Sequence, residues 1–439
     1  MPAGAEKLRR QVSAPFFEGA TANQRSLFPF PHNDDISTVG TGLEKSSENE
    51  RIADLAMKAE IYRTGHSRQQ PIGSCASSCI IGDRTRNCRY PNMNNLNVLS
   101  LRISAAACFA VASINFQAAT AHAATTDVCA PIEPFSAPRA TISNGIVNAV
   151  VLLPDAINGY YRGARFDWSG VIGCLTYRGH NYFGVWFPKY DPTRHDSITG
   201  PVEEFRAADG ESAPGYDKAS PGGIFVKPGV GALRRMSEAP FSFAAPYPLI
   251  DGGKWTVHAG KRQVTFRQVL NTQIGTSYVY KKKLKLDSSQ PVLTIEHELK
   301  NTGAETIDTQ VYNHDFFMLD GARTGPGVIV RFPFMPKTDR PLENGAHLEG
   351  NEIVYSRELE AGQSAFAAIT GYNDRPSDFD FVVKDTNTGV GVEESGSLPL
   401  SHVVFWSVPT TICPEAYVHI QVTPGQTVRW TIRYRFYAK

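Results

Sequence analysis

Two short strings, NHDFF at residues 313–317 and CPEAY at residues 413–417, place an imidazole and a carboxylate inside aromatic, strand-like sequence. His314 stands between Tyr312 and the pair Phe316 and Phe317. Glu415 lies two residues after Cys413 and two before Tyr417. Neither setting suits a solvated surface charge. One proton donor and one acceptor are the equipment of general acid–base chemistry near neutral pH, and a neighbouring carboxylate raises the proton affinity of a histidine. The competing structural readings are a packed histidine donating to a strand carbonyl and a strand-end glutamate paired with an arginine.

A second concentration of reactive side chains lies in residues 159–235, where Gly, Pro, Asp, Arg, His and aromatics mix too densely for plain strands. Long irregular loops of this chemistry commonly carry a site. Arg165 is the leading cation there, with Arg162 as the alternative, although Arg165 could equally pair with Asp167 or Asp196. His195 is a candidate ligand contact. Tyr182 and Trp186 are candidate stacking platforms, whereas Trp406 reads as core. Glu203 and Glu204 are adjacent, so in a strand they face opposite ways, and at most one can share a pocket with Glu415.

These residues need a scaffold, and composition bounds it. The 439 residues carry a net charge of +1 with 20% charged residues, which excludes a nucleic-acid or polyanion binder of the basic-patch kind. From residue 140 onward, short alternating or apolar runs are broken by Gly, Pro, Asn and Asp. In TVRWTIRYRF the residues Val428, Trp430, Ile432, Tyr434 and Phe436 alternate with Arg429, Thr431, Arg433 and Arg435, the period of a half-buried antiparallel strand. LTIEHELK behaves similarly, and its Glu296, His297 and Glu298 are read as solvent-face residues. No amphipathic helix beyond two turns is evident. The pattern predicts an all-β protein, one large antiparallel β-sandwich.

Seven cysteines are scattered, and only Cys129, Cys174 and Cys413 fall in the globular part. Cys75, Cys79 and Cys88 have no partner set that completes a zinc site, so no metal is expected. Residues 93–123 read as a signal peptide: Met93, a short polar stretch with Arg102, an uncharged run, and the small residues Ala121 and Ala123 before a cut at Ala124. Polar residues dilute the run below a convincing membrane span. Residues 1–92 then form a disordered or untranslated leader, residues 124–439 the exported domain, and the destination is the periplasm or the exterior.

Over residues 140–437 the chain resembles the galactose mutarotase-like superfamily, the aldose 1-epimerases and their relatives. YNHDFFMLD resembles the strand with that family's acid histidine, which implies that role for His314. VVFWSVPTTICPEAYVHIQVTPGQTVRW resembles the closing segment with its base, implying Glu415. GARFDWSG resembles an early arginine strand (Arg165, alternatively Arg162), and RHDSITGPVEEF stands in the place of a substrate-binding histidine loop (His195). The His-Gly-Gly string usual in the family is absent around His195, and Pro414 precedes Glu415 where the family commonly has the reverse order.

The resemblance implies a β-supersandwich, no cofactor, a carbohydrate substrate and anomer interconversion. Glu415 would take the anomeric proton while protonated His314 donates to the ring oxygen, with a gap wide enough for a pyranose ring between them. The alternatives are a polysaccharide lyase or glycoside-processing enzyme on a similar sandwich, or a non-catalytic carbohydrate-binding protein.

Overall fold

The computed structural model describes residues 129, 132–134 and 136–439. The leader, the signal segment, the cut at Ala124 and the Cys75, Cys79 and Cys88 group lie outside the described residues. Strands dominate, and the helical structure among the described residues is a single 3-10 turn, Pro376–Asp378. No helix there is long and apolar enough to cross a membrane. The expected antiparallel β-sandwich is what the chain forms.

Two sheets make its body. The larger has ten strands, with Thr427–Tyr437 and Val292–Asn301 paired near its centre. The smaller has six, in the order Lys337–Thr338, Ala365–Thr370, His402–Val408, Thr411–Val422, Ile307–His314, Val202–Ala207. Period-two alternation turns one face of each sheet into a shared core. Trp430, Ile432, Tyr434 and Phe436 enter it from the large sheet, as their spacing predicts. Phe205, Val311, Val403, Phe405, Val418 and Ile420 enter it from the small one. Phe205 packs edge-on to Tyr280, 5.6 Å between ring centres.

One alternation departs from the expectation. Glu296 and Glu298 face outward, but His297 lies on the buried face with Ile295 and Leu299. Two compensations make the inward histidine tolerable. Its ring stacks on Trp430 at 4.5 Å, and its Nε2 lies 2.7 Å from Glu203 Oε1. Glu203 also contacts Lys282, and Lys282 donates to the Ser169 carbonyl at 2.6 Å. Buried charges persist in a core when each finds a partner of this kind.

The segment 159–235 supplies the edge strand Val202–Ala207 of the six-stranded sheet, and part of it packs on that sheet's outer face. Its aromatics, among them Tyr160, Tyr161, Phe166, Trp168 and Phe187, form a second cluster with Phe316 and Cys413. Cys129 and Cys174 are joined by a disulfide, a pairing that their scattered spacing did not reveal. The bond closes a 45-residue separation and ties the start of the domain to the strand Val171–Tyr177. Chain-entropy arguments value such a loop at about 4 kcal/mol. Reducing the folded domain is therefore expected to lower its urea unfolding free energy by about that amount, measured with and without reductant on the same preparation.

Candidate active site

The site is built on an interrupted ladder. Strands Ile307–His314 and Thr411–Val422 pair antiparallel from Ile307↔Val422 to Val311↔Val418, and the next bridge between them is Phe317↔Ile412. Between these lie residues 312–316 on one strand and 413–417 on the other, equal stretches, so the register is unchanged across the gap. Continuing it by three residues from Val311↔Val418 sets His314 directly opposite Glu415. It also sets Tyr312 opposite Tyr417, whose rings stack at 4.1 Å. Because the side-chain period is two, Tyr312, His314, Cys413, Glu415 and Tyr417 share the face away from the main core.

His314 Nε2 stands 3.3 Å from Glu415 Oε1, so the two candidates are brought together. They touch, however, and the expected gap of a pyranose ring between them is not there. Directly opposed side chains on neighbouring strands have Cβ atoms about 5 Å apart, too close for a sugar to separate them. Around them the imidazole stacks on Phe316 at 3.8 Å and meets Trp406 edge-on at 5.4 Å. Phe316 has a left-handed backbone (φ +47°), which turns the chain out of the strand and folds the ring back over His314. Its N–H donates to Cys413 Sγ at 3.0 Å.

Burial governs the protonation of the pair. Desolvation, with the Arg165 charge second, pushes His314 well below the usual imidazole range. Desolvation also pushes Glu415 up to about 8, against the pull of Arg165. Both shifts favour the uncharged forms at neutral pH, so the 3.3 Å contact is not held together by an ion pair's charges. The Tyr417 hydroxyl donates to Glu415 Oε2 at 3.3 Å. His314 Nδ1 lies 2.9 Å from Cys413 Sγ, a contact in which the tautomer decides the donor.

Arg165 joins the site, although not through Asp167 or Asp196. Its Nε donates to Glu204 Oε2 at 2.8 Å and its Nη2 to the Tyr312 hydroxyl at 3.1 Å. Tyr312 in turn donates to Glu204 Oε2 at 2.6 Å. Burial alone would raise the Glu204 carboxyl, but Arg165, Lys227 and Arg206 outweigh it and hold the group well below the usual range. Glu204 is thus the glutamate of its pair that faces the site, as strand alternation demands. Its neighbour Glu203 faces the core.

The other candidates divide. His195 sits at the edge, 5.6 Å ring to ring from Phe243, which covers Arg165 at 4.3 Å; burial lowers its pKa to about 4. Trp186 stacks on the outer face of Phe316 at 5.0 Å and donates to the Ile198 carbonyl, so it is a cover rather than a platform. Arg162 is held in its own loop, contacting the Ile157 carbonyl. Tyr182 is a core residue packed on Phe436 at 4.8 Å, with its hydroxyl on the Tyr437 carbonyl. Trp406, read as core, faces the site, because Val403 and Phe405 take the inward positions of its strand.

Tyr417, Arg206 and Lys227 were missed as members of the site, and Glu204 was left open as one of an adjacent pair. The sequence signal for Glu204 was its adjacency to Glu203. Lys227 and Arg206 gave none. Two shallow surface hollows lie elsewhere, one lined by residues 260–263 with 285–286 and one near residues 322–328, and neither includes a residue of this face. The site is closed over by its aromatic cover.

No family model and no curated protein matches the chain. Among solved structures the chain is similar to galactose mutarotase-like proteins. A galactose mutarotase related enzyme of Lactobacillus acidophilus is 11% identical, with a TM-score of 0.41, over 69% of this chain and all of the other. An aldose epimerase homologue of C. elegans is 13% identical, with a TM-score of 0.42, over 69% of this chain and 99% of the other. A galactose mutarotase-like protein of Clostridium acetobutylicum is 13% identical, with a TM-score of 0.42, over 68% and 95%. Likeness at this level carries no residue role, and the site is argued from its own geometry.

The neutral pair has a pH consequence. A carboxyl raised in the folded state contributes stability fully below its ordinary value of 4.5 and loses it as pH rises to about 8. His314, depressed in the folded state, acts in the opposite sense below its ordinary value of 6.5, so the pair's contribution to the urea midpoint should fall with pH between 6.5 and about 8. Glu415→Gln should flatten that slope, and an unchanged slope would show Glu415 ionised in the folded protein.

Proposed function

We propose that this face catalyses interconversion of the anomers of a sugar, acting as an aldose 1-epimerase-like isomerase on a monosaccharide or an oligosaccharide reducing end. The observation that carries the reading is the 3.3 Å contact between one desolvated acid and one desolvated base on a single sheet face. The two oxygens that exchange protons in this reaction, the ring oxygen and the anomeric hydroxyl, are bonded to the same carbon. An adjacent donor and acceptor can therefore serve both from one side, and a ring-wide gap is not required.

With both groups uncharged, the roles in this reading are the reverse of those expected from the sequence. Glu415, holding its proton, gives it to the ring oxygen while neutral His314 takes the proton of the anomeric hydroxyl. The C1–ring oxygen bond breaks as the C1 carbonyl forms. Rotation about C1–C2 presents the other carbonyl face. The imidazolium then protonates the carbonyl oxygen, the carboxylate takes the proton of the ring hydroxyl, and closure restores both groups to their starting states. The acid's affinity near 8 and the neutral base suit proton exchange near pH 7. Arg165 and Tyr312, fixed on Glu204, would hold sugar hydroxyls in place, which supplies orientation rather than bond chemistry. A hydrolase using Glu204 with Glu415 is disfavoured, since both Glu204 oxygens are already engaged, one by Arg165 and Tyr312 and the other by Lys227.

We also propose export through residues 93–123, which the disulfide supports, because such bonds persist in oxidising compartments. N-terminal sequencing of the secreted or periplasmic protein should begin at or near Ala124, and a product retaining residues 1–92 would refute this. For the catalytic proposal, the test is proton NMR of freshly dissolved single anomers of several aldoses. His314→Asn and Glu415→Gln should each slow exchange by about 10²–10⁴-fold while remaining folded, the range for one acid–base group. The double variant should lose less than the product of the two. Full turnover in either single variant removes that residue from the mechanism.

A further inference from the structure

Beside the His314–Glu415 pair lies a cluster whose charges do not balance. Glu204 is shared by three cations. Its Oε2 takes Arg165 at 2.8 Å, and its Oε1 is 3.4 Å from Lys227 Nζ and 3.6 Å from Arg206 Nη1. The two latter contacts are long, because the carboxylate is already committed to Arg165 and Tyr312. Lys227 is 1% exposed, Arg165 12% and Arg206 15%, so water screens this excess poorly. Arg206 Nε is buried with no acceptor at all. Three cations against Glu204 leave an excess of two positive charges; a neutral or ion-paired His314–Glu415 supplies none of the missing charge, and an ionised Glu415 beside neutral His314 supplies one of the two. Asp196 does not supply the rest, being engaged with Arg194 and His195.

Beyond Glu204, Lys227 donates to the Arg165 carbonyl at 2.7 Å and Arg206 to the Glu211 carbonyl at 3.1 Å, neutral acceptors, and the remaining neighbours are aromatic. Arg165 is sandwiched between Phe166 at 4.4 Å and Phe243 at 4.3 Å. Phe241 lies 5.8 Å from Arg206 and 5.7 Å from Lys227. Carbonyls and ring faces attract a buried cation but carry no full negative charge to balance it. Phe241 is fixed by its stack on Tyr247 at 5.5 Å, within the cluster of Tyr216 and Phe225. Phe243 lies two residues on, half-buried, in a largely exposed segment between Met236 and Ile250, packed on Arg165 and His195 alone among the rings and cations of this site.

We propose that the sugar acted on at this face carries an anionic group, a carboxylate or a phosphate, which binds Arg165, Arg206 and Lys227 when Phe243 moves aside. The proposal rests on the epimerase reading for the position of the sugar, but not for the charge it carries. Arginine forks suit either oxyanion, so the chemistry is shared and the source is left to the test.

Anomer exchange and equilibrium binding are measured at one ionic strength for D-galactose, D-galacturonate, D-glucose and D-glucose 6-phosphate. At least one anionic sugar should bind, or show a KM, about 10-fold or more below its neutral counterpart, the worth of one charge-assisted hydrogen bond. The galacturonate and phosphate arms tell which oxyanion fits. Arg206→Gln should collapse that ratio toward unity. Phe243→Ala, which only uncovers Arg165, should tighten the anionic sugar relative to the neutral one, and it tests the proposal if Arg206→Gln fails to fold. Neutral sugars handled as well as anionic ones overturn the proposal and leave the epimerase reading standing. Tight binding of an anionic sugar without turnover does the reverse. A ratio unmoved by both substitutions, or binding of none of the four, overturns the proposal.

Discussion

The unbroken register across the gap between strands Ile307–His314 and Thr411–Val422 is the constraint on which the site depends. Five residues on each strand lose their mutual ladder bonds, yet the bridge Phe317↔Ile412 holds the far end in step with Val311↔Val418. A slip of one residue would turn His314 toward the core and bring Asn313 or Asp315 to the outer face. Both strands stay anchored on their other sides. Tyr312, Asn313 and His314 pair with Glu204, Glu203 and Val202, and residues 411–417 pair with the strand His402–Val408. The opening is thus held from outside, and its freed Phe316 N–H is taken up by Cys413.

The same strand that flanks the opening separates two electrostatic environments. Glu204 looks outward to Arg165, Lys227 and Arg206; Glu203 looks inward to Lys282 and His297. Beneath His314, Asp315 also turns inward, where the Tyr434 hydroxyl donates to it at 2.8 Å. Burial pushes Asp315 up to about 7 and Glu394, beside it, well above the carboxylate range. Three buried polar clusters therefore converge on two neighbouring strands. They fix the strands' orientation more strictly than an apolar sheet could, since each misplacement would leave a charge or a proton without its partner.

Aromatic rings close the outer face. Phe316 lies on the imidazole, Trp186 on Phe316, Trp406 against both, and Phe243 over Arg165. This cover excludes water, which keeps His314 and Glu415 uncharged and strengthens every hydrogen bond among them. It also makes opening of the cover a step in any encounter with a ligand, and the exposed segment around Phe243 is where the cover is thinnest.

Local pattern was enough to read the strands: alternation in TVRWTIRYRF, the want of amphipathic helices, and the adjacency that sends Glu203 and Glu204 to opposite faces all follow from a side-chain period of two. The composition around His314 and Glu415 marked both as buried reactive groups. Their separation was not legible, because it depends on strand pairing across about a hundred residues of chain. The protonation of the pair was not legible either, since it is set by the cover and by Arg165, brought from far earlier in the chain. For the same reason His297 was misread as exposed and Trp406 as core: alternation gives the period but not the phase, and only packing of the second sheet decides which face is inside. Tyr182 and Arg162 stood in the right segment, but a loop's composition does not say which way its side chains turn. Pairing, phase and burial are properties of the assembled sheets, and they decided which of the reactive residues meet.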